Sequence, residues 1–461
     1  MKLPDYFLAD LPAEATLTSS IISEACLTLK RNRERFLAGR STQSLIQSLS
    51  QVGASWLDPD YPLRKLALEQ GPAATGFSRA TLATGLDSFF RQLTPQSFQA
   101  LLEQDLGHAR RLDEVVALDT EQQGGRAAMA LGPSFLVHIA AGNLPNPTLM
   151  SMVLGLLVRS AQFVKCASGT SFLPRLFAHS IHQAEPKLGA CLEVAEWKGG
   201  NRDLEQVLFE EADCVTATGS DETLADVRQR LPARTRFLGY GHRLSFAYVS
   251  SEVLGGGRGA SVAASAAADV AAWDQQGCLS PHVIYVEQGG RMAPEQFADL
   301  LARELAARES VEPRGELSAS AAAAIASRRS IYELRAAHSP DTRLWCSPGS
   351  TAWTVVYEAD PRFQISCLNR FIYVKPVTSL AAALESADTV RTKVSTVGVA
   401  VPETQTKQTF ATLARWGVPR VCRLGQMQNP PLTWRHDGRP ALGELVTWAD
   451  YENGVAENLS I

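Results

Sequence analysis

No two of the eight cysteines, at 26, 166, 191, 214, 278, 346, 367 and 422, stand close in sequence. That scatter excludes a disulfide scaffold and a zinc site, leaves no metal site to propose, and points to a reducing cytoplasm. Charge of one sign is also lacking. The 44 basic and 48 acidic residues leave a formal net charge of −4, so nothing electrostatic calls for nucleic acid or an anionic membrane surface. Long apolar runs are missing too: the most apolar segment, 144–158, is interrupted by Pro145 and Pro147 and is too short to span a bilayer. The start, Met1-Lys-Leu-Pro-Asp-Tyr6, has no basic region followed by an apolar run, so no secretory signal is read there. Repeats and low-complexity tracts are absent except for an alanine run at 319–326, which a helix explains.

What is present is a chain of 461 residues, 45% apolar and 20% charged, too long for one ordinary core and suited to two or three lobes. Residues 1–115 read as an amphipathic helical region, with helical spacing over 17–36, 41–52, 61–68, 78–93 and 95–106; it reads as a packing surface without chemistry of its own. From 116 to 250 short apolar runs at 134–140, 161–167, 191–197 and 213–218 alternate with helical segments at 147–160, 171–185, 202–211 and 221–231. That alternation predicts a parallel, doubly wound α/β sheet, which binds ligands beyond the carboxyl ends of its strands. The run 234–249 is a glycine-punctuated turn leading into a strand, and the lobe boundary is placed near 250, ahead of Gly255-Gly-Gly257. A second α/β domain then occupies 251–425, with helices at 260–273, 294–310, 315–337 and 403–416 and strands at 281–287, 343–346, 352–358, 371–375 and 420–424. Residues 359–370 read as a loop, and 426–461 as a C-terminal tail whose stretch 426–440 is too rich in proline and polar groups for regular structure.

The stretch with the clearest chemical promise is Trp273-Asp-Gln-Gln-Gly277-Cys278-Leu-Ser-Pro281-His282, a cysteine in a polar turn between an alanine-rich helix and a buried strand. Unpaired cysteine usually packs as a small hydrophobe, so context must carry the case for Cys278 as a nucleophile. Three turns at strand ends supply that context. Asn143, held between Gly142 and Pro145, offers a side-chain amide able to stabilise an oxyanion. Lys165 and Ser168 precede a helix start, where a cation, hydroxyl and free N–H groups suit a phosphate or ribose. Gly219-Ser220 repeats that arrangement at the end of the fourth strand. Each alone is explained by ordinary turn and cap chemistry; together they can line one crevice. No G-x-G-x-x-G follows the first strand, so a nicotinamide cofactor would bind by another geometry.

These blocks resemble the aldehyde dehydrogenase superfamily, and within it the fatty-acyl-CoA reductases of the LuxC type. The resemblance rests on Ala141-Gly-Asn-Leu-Pro145, Val164-Lys-Cys-Ala-Ser168, Ala217-Thr-Gly-Ser220, Asp274-Gln-Gln-Gly-Cys-Leu-Ser-Pro281 and the tail Gln428-Asn-Pro-Pro-Leu-Thr-Trp-Arg-His-Asp-Gly-Arg-Pro440, spanning about 130–450. It implies two doubly wound parallel α/β lobes with an N-terminal helical region, an acyl group carried on Cys278, and an oxyanion held by Asn143 with the Cys278 backbone N–H. It also implies Lys165 and Ser168 at the adenosine ribose or its 2′-phosphate, and Gly219 with Ser220 under the pyrophosphate of NADPH, with NADH as the alternative. Where hydrolytic relatives carry a glutamate before a glycine pair, this chain has Tyr240-Gly-His242-Arg-Leu. Without that base an acyl-enzyme escapes hydrolysis until hydride arrives, which favours reduction to an aldehyde. His242 could tune the thiol but reads more readily as structural. The expected substrate is an acyl thioester or acyl adenylate, the expected partner an acyl-activating synthetase or carrier protein, and the expected assembly a homo-oligomer. The rival expectations are an aldehyde oxidiser and a non-reducing acyl-transfer subunit.

Overall fold

The computed structural model describes residues 3–12, 14–140, 142, 144–255 and 257–452. They divide into two compact units. The first comprises 1–75, 86–241 and 431–461, and the second 76–85 and 242–430.

In the first unit, β1 (Arg126–Leu131) precedes β2 (Phe135–Ile139), β3 (Ala161–Cys166), β4 (Leu192–Glu196), β5 (Cys214–Thr218) and β6 (Arg236–Tyr240). Strands β2 to β6 form one sheet in the order β4-β3-β2-β5-β6, with every pairing parallel. Buried on both faces, β3 is inaccessible at all six positions, as expected where helices cover both sides. A polar line crosses the middle of the sheet: His138 joins Thr216 at 2.6 Å and Gln162 at 2.8 Å, and the Gln162 amide donates to the Met152 carbonyl. Burial pushes the His138 imidazole down to about 4, so it is neutral and bonded at both nitrogens.

The N-terminal helices begin where their sequence says they should. Thr18, Ser41 and Thr94 cap the helices Ser19–Phe36, Thr42–Leu57 and Pro95–Leu106, each accepting a backbone N–H. Ile22, Cys26 and Leu29 of the first helix share a core with Phe135, Val137 and Phe163 of the sheet. The helical region therefore builds the first unit's core, and its short stretch 76–85 belongs to the second unit.

The second unit holds β7 (Leu244–Val249), β8 (Pro281–Glu287), β9 (Thr342–Cys346), β10 (Thr354–Glu358), β11 (Phe371–Val377), β12 (Val394–Ala400) and β13 (Arg420–Arg423). Their order is β13-β12-β7-β8-β11-β10-β9, all parallel except β9, which runs antiparallel to β10 at the edge. The helices Gly259–Ala271 and Pro294–Val311 cover one face, burying Ala263, Ala266, Val270, Phe297 and Leu301 against it.

Three features differ from the expected organisation. The chain leaves the first unit at Gly241, ahead of the boundary placed near 250, because β6 and β7 belong to different sheets. Strand β12, which has no counterpart among the expected strands, lies between β13 and β7; its Ser395 and Thr396 are fully buried and interrupt the apolar pattern a strand usually shows. The tail does not stay apart: β14 (Thr447–Glu452) returns to pair antiparallel with β1. Arg236 of β6 donates to the Glu444, Leu445 and Val446 carbonyls and ties that return in place. Among the described residues, no helix is long and apolar enough to cross a membrane.

Candidate active site

Cys278 belongs to the second unit, and the backbone leading to it is strained. After the helix Gly259–Ala271, three consecutive non-glycine residues, Trp273, Asp274 and Gln275, adopt left-handed φ values of 51°, 49° and 63°. A second such run, Leu368, Asn369 and Arg370, has φ of 58°, 55° and 64°. Conformations of this kind cost on the order of 1–3 kcal/mol per residue and persist only when their surroundings over-determine them.

The surroundings do so by locking each run to the other. Arg370, 1% exposed, donates from Nε to Asp274 Oδ1 at 3.0 Å, with Nη2 in ion-pair range of the same oxygen at 2.8 Å, while its Nη1 bonds Glu309 and the Glu312 carbonyl. Asp274 Oδ2 accepts the Gly315 N–H. The Gln275 amide donates to the Pro281 and Phe371 carbonyls and accepts the Phe371 N–H, bridging the starts of β8 and β11. Trp273 fills the space beside Gly85, where a Cβ would lie 2.0 Å from the indole, and meets Phe77 edge-on.

Beyond this clamp the chain makes a tight turn, with the Ser280 N–H donating to the Gly277 carbonyl, and presents Cys278 half-buried. The Cys278 carbonyl accepts the Ser245 hydroxyl at 2.7 Å. Ser245 itself stands at register shifts in the pairings of β7 with β8 and with β12, irregularities that re-aim side chains beside functional sites. Burial pushes the thiols of Cys26, Cys166 and Cys191 up to about 12 and those of Cys214 and Cys422 to about 11, and it raises Cys367. Those six are poorly suited to act as thiolates. His282, four residues after Cys278, is buried with Nδ1 accepting the Ser366 N–H; burial, with His242 nearby, lowers it to about 4, so it is neutral.

The first unit carries the other sequence-predicted residues. Strands β3 and β5 flank β2 in parallel, so the turns after all three emerge at the same edge of the sheet. Lys165, at the end of β3, is 3% exposed, its ammonium 5.7 Å from the Trp197 ring. Burial pushes its pKa down, with Glu205 opposing, and its ammonium has no hydrogen-bond acceptor among the described residues. Ser168 is exposed in the following turn, where Gly169 is left-handed and Glu196 of β4 accepts the Gly169 and Ser171 N–H groups. Ser220 caps the helix Asp221–Arg230 through the Thr223 N–H, and the Gly219 N–H donates to the Tyr240 carbonyl. Asp221 and Glu222 make that helix start acidic. A buried ammonium lacking an acceptor and two exposed hydroxyls at one sheet edge suit a dinucleotide with sugar hydroxyls and phosphates. Asn143 lies outside the described residues.

Sequence reasoning did not find Arg370, Gln275 or Ser245 as supports of the Cys278 turn. The only signal for them was the unusual run Asp274-Gln-Gln-Gly, whose polar residues are buried by partners as far as 96 residues away.

The model of the LuxC acyl-CoA reductase family matches residues 37–448. The long-chain acyl-protein thioester reductase of Aliivibrio fischeri is 23% identical over 444 residues, covering 94% of this chain and 87% of that protein. The protein of the same name from Photorhabdus laumondii is 22% identical, covering 89% and 82%. Among solved structures, a protein described as an aldehyde dehydrogenase, PutA, of Anabaena variabilis has a TM-score of 0.68 at 15% identity, covering 97% of this chain and 96% of that one. The Δ-pyrroline-5-carboxylate dehydrogenase of Mycobacterium tuberculosis has a TM-score of 0.66 at 12% identity, covering 97% and 85%. Identities this low speak to the fold alone, which is that of the aldehyde dehydrogenases. With the family model matching from the early helices to the last strand, the chain belongs to the LuxC family of acyl-CoA reductases.

Proposed function

We propose that this protein reduces a long-chain acyl thioester to an aldehyde with NADPH, through an acyl group carried on Cys278. The observation that carries this reading is the placement of Cys278, half-buried in a turn that two mutually locked, strained segments hold in position. The names of the relatives, acyl-protein thioester reductases, support a protein-borne thioester as donor and a carrier or acyl-activating partner to deliver it.

In this mechanism the Cys278 thiolate attacks the acyl carbon, forming a C–S bond and pushing the carbonyl electrons onto oxygen. The Cys278 backbone N–H and the Asn143 amide stabilise that oxyanion. Its collapse expels the donor thiolate, which takes a proton, and leaves a thioester on Cys278. The cofactor, when bound, would supply the hydride that reduces the thioester carbon. The resulting thiohemiacetal loses its C–S bond, releasing aldehyde and regenerating the thiolate. Lys165 and Ser168 would hold the adenosine ribose or its 2′-phosphate, and Gly219 with Ser220 would hold the pyrophosphate. The segment Tyr240–Arg243 has no carboxylate to activate water. Tyr240 is stacked on His436 at 4.5 Å and lies under Arg439, so that position is filled by an aromatic and cationic stack.

Incubation with a long-chain acyl-CoA and NADPH tests the reading. Aldehyde formed in proportion to NADPH consumed, and lost in Cys278→Ala, is the expected result. A stable acyl-protein that NADPH fails to discharge points instead to an acyl-transfer subunit, and faster turnover from aldehyde with NADP+ to an oxidiser. Lys165→Met is expected to raise KM for NADPH about tenfold, the scale of one lost charged hydrogen bond, while leaving kcat close to unchanged.

A further inference from the structure

Strand β13 and the loop after it are joined to the Cys278 turn by a chain of buried hydrogen bonds that the proposed chemistry above does not use. The loop Gly425–Gln428 is held from both sides. Asp269, on the helix Gly259–Ala271, accepts the N–H groups of Gly425 and Met427. Arg420, the first residue of β13 and 8% exposed, donates to the Met427 carbonyl at 2.6 Å and the Gln426 carbonyl at 2.9 Å. Met427 is fully buried against Gly398 of β12, where a Cβ would come within 2.6 Å of its sulfur. Held this way, the loop places Gln428 so that its amide donates to the Ser280 hydroxyl at 2.5 Å, two residues past Cys278. The sheet makes the same connection independently. Arg420 pairs with Thr396, Thr396 with Ser245 and Ser245 with Pro281, one row across β13, β12, β7 and β8, and the Ser245 hydroxyl bonds the Cys278 carbonyl.

Resting on the assignment of Cys278 as nucleophile, we propose that Arg420 is a positioning residue: its guanidinium clasps the Gly425–Gln428 loop against the cysteine turn and is the buried cation that favours the Cys278 thiolate. Burial pushes the guanidinium pKa down, and the charges of Cys422, Asp269 and Cys278 push back, so the sulfur and the cation act on each other. The other titratable groups around the cluster cannot replace it. His282 is neutral, Cys422 is raised to about 11, and Asp269, raised by burial to about 7, is of the wrong sign. An opposite charge held close to an ionisable group moves its titration by about one to three units.

The test is the pH profile of Cys278 alkylation by iodoacetamide, quantified on the peptide containing Cys278, with no acyl donor or cofactor present. It therefore reads the thiol whether or not the protein reduces acyl groups, and failure of the reductase reading leaves it interpretable. Arg420→Gln is expected to move the alkylation midpoint up by about one unit, with roughly a tenfold slower reaction at neutral pH. Arg420→Lys, which keeps the charge, is expected to return the midpoint to within a few tenths of a unit. Asp269→Asn leaves the Arg420 charge uncompensated and should move the midpoint down, whereas simple loss of packing would move both variants the same way. If Arg420→Gln does not fold, Asp269→Asn and Arg420→Lys still decide, the first lowering the midpoint and the second leaving it within a few tenths of a unit of the parent: a midpoint that stays put in Asp269→Asn, or rises with it, overturns the proposal. An unchanged midpoint in folded Arg420→Gln overturns it as well.

Discussion

The strand-end turns of the first unit and the Cys278 turn of the second are built on opposite plans. At Thr218–Asp221 the local sequence does most of the work, an exposed serine cap accepting an N–H three residues on, and at Lys165–Ser171 a left-handed glycine needs one remote carboxylate, Glu196. At Trp273–Cys278 almost nothing is local. Three non-glycine residues are left-handed, and Asp274 and Gln275 among them find partners in Gly315, Ser366, Arg370 and Phe371. A surface that receives a ligand can be assembled from cheap turns. The role proposed for Cys278, meeting a carbonyl carbon at a defined angle, is one that a turn over-determined by distant parts of the chain would serve.

Substitutions sharpen that contrast. Asp274→Ala strips Arg370, 1% exposed, of the more buried of its two carboxylates, leaving Glu309, and should destabilise the protein by about 3 kcal/mol in denaturant unfolding. Replacing both partners with apolar residues of similar volume should recover much of that loss. His282 gives a smaller, pH-dependent effect. Its folded pKa of about 4 lies below the unfolded value of 6.5, so as pH falls through that window the unfolded chain takes up a proton that the folded chain refuses. Stability should decline from pH 6.5 toward 4 by up to about 3 kcal/mol from this group, and His282→Gln should flatten that slope. His138 adds a similar slope from the first unit and remains as an internal control. The smallest effect belongs to the local turn: Ser220→Ala removes a cap and should cost about 1 kcal/mol, read as faster amide exchange confined to the start of Asp221–Arg230. Equal costs for Ser220→Ala and Asp274→Ala would break the comparison.

The same division explains what the sequence made legible. The helix expected over 202–211 and the strand over 281–287 match Arg202–Glu211 and Pro281–Glu287, because both carry their own periodicity and flanking signals. Elements whose pattern depends on remote partners were hidden. Strand β12 buries Ser395 and Thr396, β1 and β14 define each other across more than three hundred residues of chain, and β6 merges in sequence with β7 although the two join different sheets. In the same way Cys278, Lys165, Ser168, Gly219 and Ser220 could be named from their motifs. Arg370, Ser245 and Arg420 could not, because an arginine or serine on a strand says nothing about a partner 96 or 33 residues distant.

The central claim is that Cys278 carries the acyl group. Digestion and mass analysis of the protein after exposure to a long-chain acyl-CoA, before and after NADPH, tests it most directly. The expected result is an acyl adduct on the peptide containing Cys278 that disappears on NADPH addition, with one aldehyde released per adduct lost. An adduct on Cys346 or Cys367 in its place, or undiminished aldehyde formation by Cys278→Ala, would contradict it.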